Sequence, residues 1–118
     1  MKKKFDLKER TSKFGEEIIE FVRILNSNPI NKPLISQIVR SATSIGANYM
    51  EADCAESKKD FKHKIGICKK ESSETQHWLK MIKFANPVLK EKINYLDKEA
   101  HELLLIFASI IRSCDKKN

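Results

Sequence analysis

Glycine and proline are scarce in this chain, three of each in 118 residues. With few β-branched runs and abundant Lys, Glu, Ile, Leu and Ala, that scarcity favours an all-helical protein over a turn-rich β fold. Cysteine is equally scarce. Cys54, Cys68 and Cys114 are odd in number and show no C-x-x-C spacing. They cannot all pair within one chain, and free thiols in a reducing cytoplasm are the simplest reading. Long apolar runs are absent too. The longest covers residues 103–108, far short of the roughly 20 residues a membrane span needs. Met1-Lys2-Lys3-Lys4 has the charge of a signal-peptide start, but no apolar stretch follows it. A soluble, cytoplasmic protein is expected. No glycine-rich phosphate loop and no nucleophile elbow occur, so neither a nucleotide-cradling enzyme nor a serine hydrolase is indicated.

Positive charge, by contrast, is plentiful. The formal net charge is +7 and the pI about 9.4. Such a balance suits polyanionic partners, although many proteins that bind none share it. One hundred and eighteen residues make one domain, 1–118, with a single core.

Four helical segments follow from periodicity. Asp6 with Glu9 makes a capping-box-like start, and Phe14, Ile18, Phe21, Val22 and Leu25 form an apolar stripe to about Asn26. Gly15 interrupts this stripe, which suggests a close neighbour. Asn26 to Asn31 is a turn cluster around Pro29. A second helix should start near Lys32 or Pro33 with Asn31 as cap and run to about Glu56. Its apolar face is Leu34, Ile35, Ile38, Ala42, Ile45 and Tyr49. Ser57 with Asp60 starts a third, whose seam of Phe61, Ile65, Cys68, Ser72, Thr75, Leu79 and Ile82 repeats at three and four. Asn86-Pro87 reads as cap and first helical position. A fourth helix then runs to about Ser113, with Leu89, Ile93, Leu96, Ala100, Leu103, Phe107, Ile110 and Ile111 inward. Loops this short force neighbours to run antiparallel, giving an all-α, up-down-up-down four-helix bundle. Ile19, Ile24, Met50, Trp78, Leu105 and Ile106 fall off these stripes and suggest a second buried surface, hence a homo-oligomer.

The second helix carries a polar row opposite its apolar face: Arg40, Ser44, Asn48 and Glu51. Small and amide residues between one Arg and one Glu suggest a contact surface rather than a solvated face. Arg40 and Glu51 lie about 16 Å apart along the axis and cannot pair with each other. Each must meet another helix or another subunit, and packing within the chain is as good a reading as assembly. Together with Ser57 and Phe61, this pattern resembles the four-helix-bundle family of ribosomal-RNA intervening-sequence proteins, and is similar to the accessory protein of diversity-generating retroelements. The resemblance spans about the whole chain. Its motif departs twice from the family's Asn-Ile-x-Glu-Gly, with Tyr49 in place of Ile and Ala52 in place of Gly. What the resemblance implies is the bundle and a ring-shaped oligomer, a pentamer. It implies no settled function.

Three chemistries compete with blander readings. Glu74-x-x-His77 and Asp60-x-x-His63 have the local spacing of carboxylate-bridged metal ligands. Both pairs are on one helix and point away from its seam, so solvated polar residues are the better reading and no metal or cofactor is expected. Cys68 sits on an apolar seam, where a thiol acts as a small hydrophobe, and Cys54 and Cys114 lie near helix ends without a His and acid at meaningful spacing. No catalytic residue is assigned. The third is a lysine ladder. Residues 57–86 hold eight Lys against three acids, and Lys58, Lys62, Lys69, Lys80 and Lys83 share one line of the helix. Such a ladder can track phosphates, yet lysines flanking an apolar seam also serve to cover it with their stems. With four Arg against nineteen Lys, base-specific readout is not expected. The leading reading is a non-catalytic oligomeric scaffold or binding module that contacts RNA, DNA or a nucleic-acid enzyme, with no membrane and no small-molecule substrate. The alternative is a purely structural homo-oligomer.

Overall fold

The first helix begins where the sequence offers its first cap. In the computed structural model, which describes residues 6–116, the Asp6 side chain accepts a hydrogen bond from the Glu9 backbone N–H. Helix α1 follows over Leu7–Val22. The basic start at residues 1–5 lies outside the described residues. Helix α1 stops four residues before the expected Asn26. Ile24 and Leu25 donate to carbonyls three residues back, Phe21 and Val22, the tighter bonding of a helix running out. Leu25 still reaches the core.

Helix α2 spans Asn31–Asp53, and its capping corrects the sequence reading. Asn28, not Asn31, supplies the capping oxygen, accepting from the backbone N–H of Ile30 at 3.0 Å and of Asn31 at 2.7 Å. Asn31 lies inside the helix and is buried. The far end is also shorter than the expected Glu56. Ala52 remains helical, and Cys54 closes the helix at φ −102°. Among the described residues no φ is positive, so α2 ends without a left-handed residue.

Helix α3 spans Lys58–Ala85, with the Ser57 hydroxyl accepting from the Asp60 N–H at 3.0 Å as expected. Asn86 does not cap the fourth helix. A 3-10 turn at Pro87–Leu89 intervenes before α4, Lys90–Asp115. The Asn86 amide instead donates to the Ile82 carbonyl and exchanges hydrogen bonds with the Asn31 amide at 3.0 and 3.3 Å. The two corners at this end of the bundle are thereby clasped to each other.

The four helices form an up-down-up-down bundle measuring 50 × 28 × 20 Å. Backbones approach most closely between consecutive helices, and α4 closes onto α1 less tightly. Arg10 spans that wider seam, reaching Glu99 with two nitrogens and Glu102 with one, each at 2.8 Å. Phe14, Ile18, Ile38, Ile45, Ile65, Leu79, Leu103 and Phe107 fill the centre, each at most 1% exposed. Burying each such side chain contributes about 1.5–3 kcal/mol. Two polar positions of the α3 seam are satisfied within it. Thr75 shares a 2.8 Å hydrogen bond with Ser41, and the Ser72 hydroxyl donates to the Cys68 carbonyl.

Close approach of α1 to α2 falls at Gly46 rather than Gly15. A Cβ on Gly15 would meet Thr43 at an ordinary 3.7 Å, whereas one on Gly46 would meet Thr11 Oγ1 at 3.4 Å. Two of the off-stripe apolar residues are also reassigned, because Trp78 and Ile106 pack against the core. Ile24, Met50 and Leu105 remain about half exposed.

Candidate nucleic-acid interface

The buried seam of α3 leaves the helix two flanks of opposite character. The flank toward α2 is acidic at its middle, with Glu71 and Glu74. The flank toward α4 carries the lysine ladder. Two rungs are bound within the chain: the Lys62 ammonium pairs with Asp115, and Lys83 donates to Asn94 Oδ1 at 2.9 Å. Proximity to Asp115 raises the Lys62 pKa, chiefly through the hydrogen bond. Lys58, Lys69 and Lys80 are exposed and have no ion-pair partner among the described residues. Their spacing of eleven residues each puts them nearly on one line, about 16 Å apart. Below the ladder, Lys59, Lys62, His63 and Lys70 rim a shallow groove floored by Gly66, Ile67 and Ile111.

The polar row of α2 finds its partners on α3 of the same chain. Arg40 donates to Glu74 at 2.7 Å and lies 3.4 Å from Glu71. The Glu74 hydrogen bond is the main cause of a raised Arg40 pKa. Glu51 accepts from Lys64 at 2.7 Å. Asn48 donates to the Ser44 carbonyl within α2. Ser57 caps α3, and Phe61 packs half-buried against the core. These six residues thus line or support the α2–α3 seam. Tyr49, where the resembled family has Ile, sets its ring 6.5 Å from that of Phe107. Burial is the first cause of its raised pKa.

Among the described residues no three His, Cys, Asp or Glu side chains converge as metal ligands. Cys54, Cys68 and Cys114 are free thiols. Cys68 is buried, and burial pushes its thiol up to about 12, the setting of an inert cysteine.

Sequence reasoning missed three features. Glu71, beside the seam position Ser72, is 7% exposed, and its Oε1 accepts no hydrogen bond. The Asn31–Asn86 clasp joins residues 55 apart, which local turn rules do not reveal. Phe84 and Val88 stand out at the clasped end, each 88% exposed. Phe84 lies off the seam periodicity by sequence, which was the available signal. No helix among the described residues is long and apolar enough to cross a membrane.

A family model described as 23S rRNA-intervening sequence protein matches residues 3–109. Among solved structures, a protein of unknown function from the S23 ribosomal protein family of Bacteroides thetaiotaomicron VPI-5482 is 31% identical, with a TM-score of 0.77 over 88% of this chain and 96% of that one. No curated protein matches significantly.

Proposed function

We propose that this chain, which belongs to the 23S rRNA-intervening sequence protein family, is a non-catalytic, self-associating binding module that holds a nucleic-acid backbone along α3. The observation that carries the reading is the straight row of Lys58, Lys69 and Lys80, exposed and without carboxylate partners among the described residues. Lysine contacts phosphate as a point charge and reads no base edges, so RNA and DNA should bind alike. Self-association is supported by two grooves of opposite charge. One is the Lys59, Lys62 and Lys70 groove on α3 and α4. The other lies between α1 and α4, where Glu16, Glu17 and Glu20 outnumber Lys13 and Lys92 by one around an apolar floor including Ile24 and Tyr95. Unlike faces that complement one another favour head-to-tail contacts, which form a ring where the rotation between copies closes and a filament where it does not. A ring would repeat the lysine row and raise avidity.

The competing reading is a structural homo-oligomer without nucleic acid. It is favoured by Lys62 and Lys83 being committed to Asp115 and Asn94. Anisotropy titration with labelled RNA and DNA of about 20 nucleotides separates the two. Wild type should bind both, with log affinity falling against log salt at a slope of about −2 for three contacts to a single strand. Lys58→Glu/Lys69→Glu/Lys80→Glu should stay folded and lose both. Lack of binding at about 50 mM salt sinks the nucleic-acid reading, and a stable monomer by light scattering sinks the assembly.

A further inference from the structure

We propose that the clasped end of the bundle is a stacking platform for an unpaired base of single-stranded nucleic acid, with Phe84 as the ring on which the base lies. This rests on the nucleic-acid reading above and adds to it a contact that the lysine row cannot make.

Phe84 occupies the last turn of α3 and is 88% exposed. A large aromatic side chain left that far in water gains nothing for the fold. The backbone that carries it is fixed. The Asn86 N–H and amide both bond back to the Ile82 carbonyl, and the Asn31–Asn86 clasp fixes the neighbouring corner. A flat partner that covers the ring therefore orders only the side chain and not the backbone beneath it.

The surroundings say what that partner is. Lys80 lies one turn before Phe84 on the same face. Residues 80–92 carry Lys80, Lys83, Lys90 and Lys92 against Glu91 alone, a local balance of 4 − 1 = +3. A ligand that combines flat apolar faces with regularly spaced negative charge fits this chemistry: bases stack on the ring while phosphates meet the lysines. A second copy of the chain fits less well. Phe84, Val88, Ile30 and half-exposed Ile24 are the exposed large apolar residues at this end. Together they fall well short of the roughly 800 Å² per partner that a stable interface buries. Duplex nucleic acid is a poor occupant as well, because its bases are already stacked on each other.

Anisotropy with two probes tests the site: a labelled single strand of about 12 nucleotides and the blunt duplex of the same sequence. Phe84→Ala should weaken single-strand binding roughly ten-fold and leave duplex binding unchanged. Phe84→Leu should be as weak as Phe84→Ala, and Phe84→Trp should bind like wild type. The exposed position leaves the core untouched in all three variants, and circular dichroism checks that each is folded. If wild type binds neither probe, the lysine-row reading fails and this one with it. If wild type binds both and Phe84→Ala matches it on the single strand, the platform alone is overturned. Full rescue by Phe84→Leu overturns stacking in favour of general apolar contact. Two further outcomes also overturn it, given unchanged single-strand binding: loss of wild-type binding to phosphatidylserine vesicles in Phe84→Ala, which assigns the patch to a lipid surface, or a fall in particle mass, which assigns it to a second copy.

Discussion

Arg40 serves two carboxylates of unequal exposure, and the more buried one depends on it. Glu71 Oε1 has no hydrogen-bond donor, and the guanidinium 3.4 Å away is its charge partner. Arg40→Ala is therefore expected to destabilise the fold by about 1–2 kcal/mol, mostly as the cost of leaving Glu71 uncompensated. Arg40 is itself half exposed, which holds the figure down. Adding Glu71→Gln should recover part of the loss. Urea melts of the two single variants and the double variant give the coupling, and strict additivity would contradict the pairing. Cys68 makes a second residue-scale case. Burial pushes its thiol from an ordinary 9.0 to about 12, so the folded state retains the proton longer than the unfolded chain does. Its contribution is whole below about pH 9 and is lost as pH climbs toward about 12. Stability measured across that interval should fall less steeply in Cys68→Ala, and identical alkaline limbs would refute the assignment. At neutral pH a thiol reagent should modify exposed Cys54 quickly and Cys68 only on unfolding. The row from Arg40 to Glu51 was legible in the sequence. Its partners Glu71, Glu74 and Lys64 were not, because the pairing depends on how α3 is rotated against α2, and spacing along one helix carries no information about that angle.

Helices and their inward faces were the most legible level, since an apolar stripe at three and four admits one buried side. Caps were less so. Asn31 and Asn86 both have the residue type and position of a helix start, yet each turns its side chain to the other and to a carbonyl of the preceding segment. A distant partner outcompeted the local capping bond, and no local rule foresees that. Glycine inside helices offers a direct check on packing. A methyl group added at Gly66 would meet no heavy atom within 4 Å, and one at Gly15 would make only ordinary contacts. Ala at either position should raise stability by up to about 1 kcal/mol through helix propensity. Gly46→Ala should gain less, because Thr11 must yield. Thermal melts rank the three, and a destabilised Gly66→Ala would contradict the open space beside it.

At the scale of the whole molecule, the Asn31–Asn86 clasp is the main polar tie between the two corners it joins. Replacing either residue by Ala leaves the other's side-chain oxygen without its donor, although each NH2 keeps a backbone acceptor, Asn26 for Asn31 and Ile82 for Asn86, and Asn31 is 1% exposed. Each single variant should cost roughly 1–3 kcal/mol, and the double variant should cost less than the sum. Equal additivity in denaturant titrations would show that the amides act independently. The clasp also fixes the backbone corner just after Phe84, so its loss should soften that end without altering the lysine row, which lies along the shaft of α3.

The looser closure of α4 onto α1 has a consequence in time rather than in space. Each helix meets its main neighbour through a short loop, so most of the bundle forms by closing small segments at little entropic cost. Chains dominated by such local contacts refold in microseconds to milliseconds. The Arg10–Glu99 ion pair spans 89 residues, and it can form only after the other seams have brought those residues together. Arg10→Ala should accordingly speed unfolding while leaving the refolding rate nearly unchanged, a φ-value near zero. Stopped-flow traces showing slowed refolding instead would mean that the chain's two outer helices meet early and the ring of seams closes from the outside in.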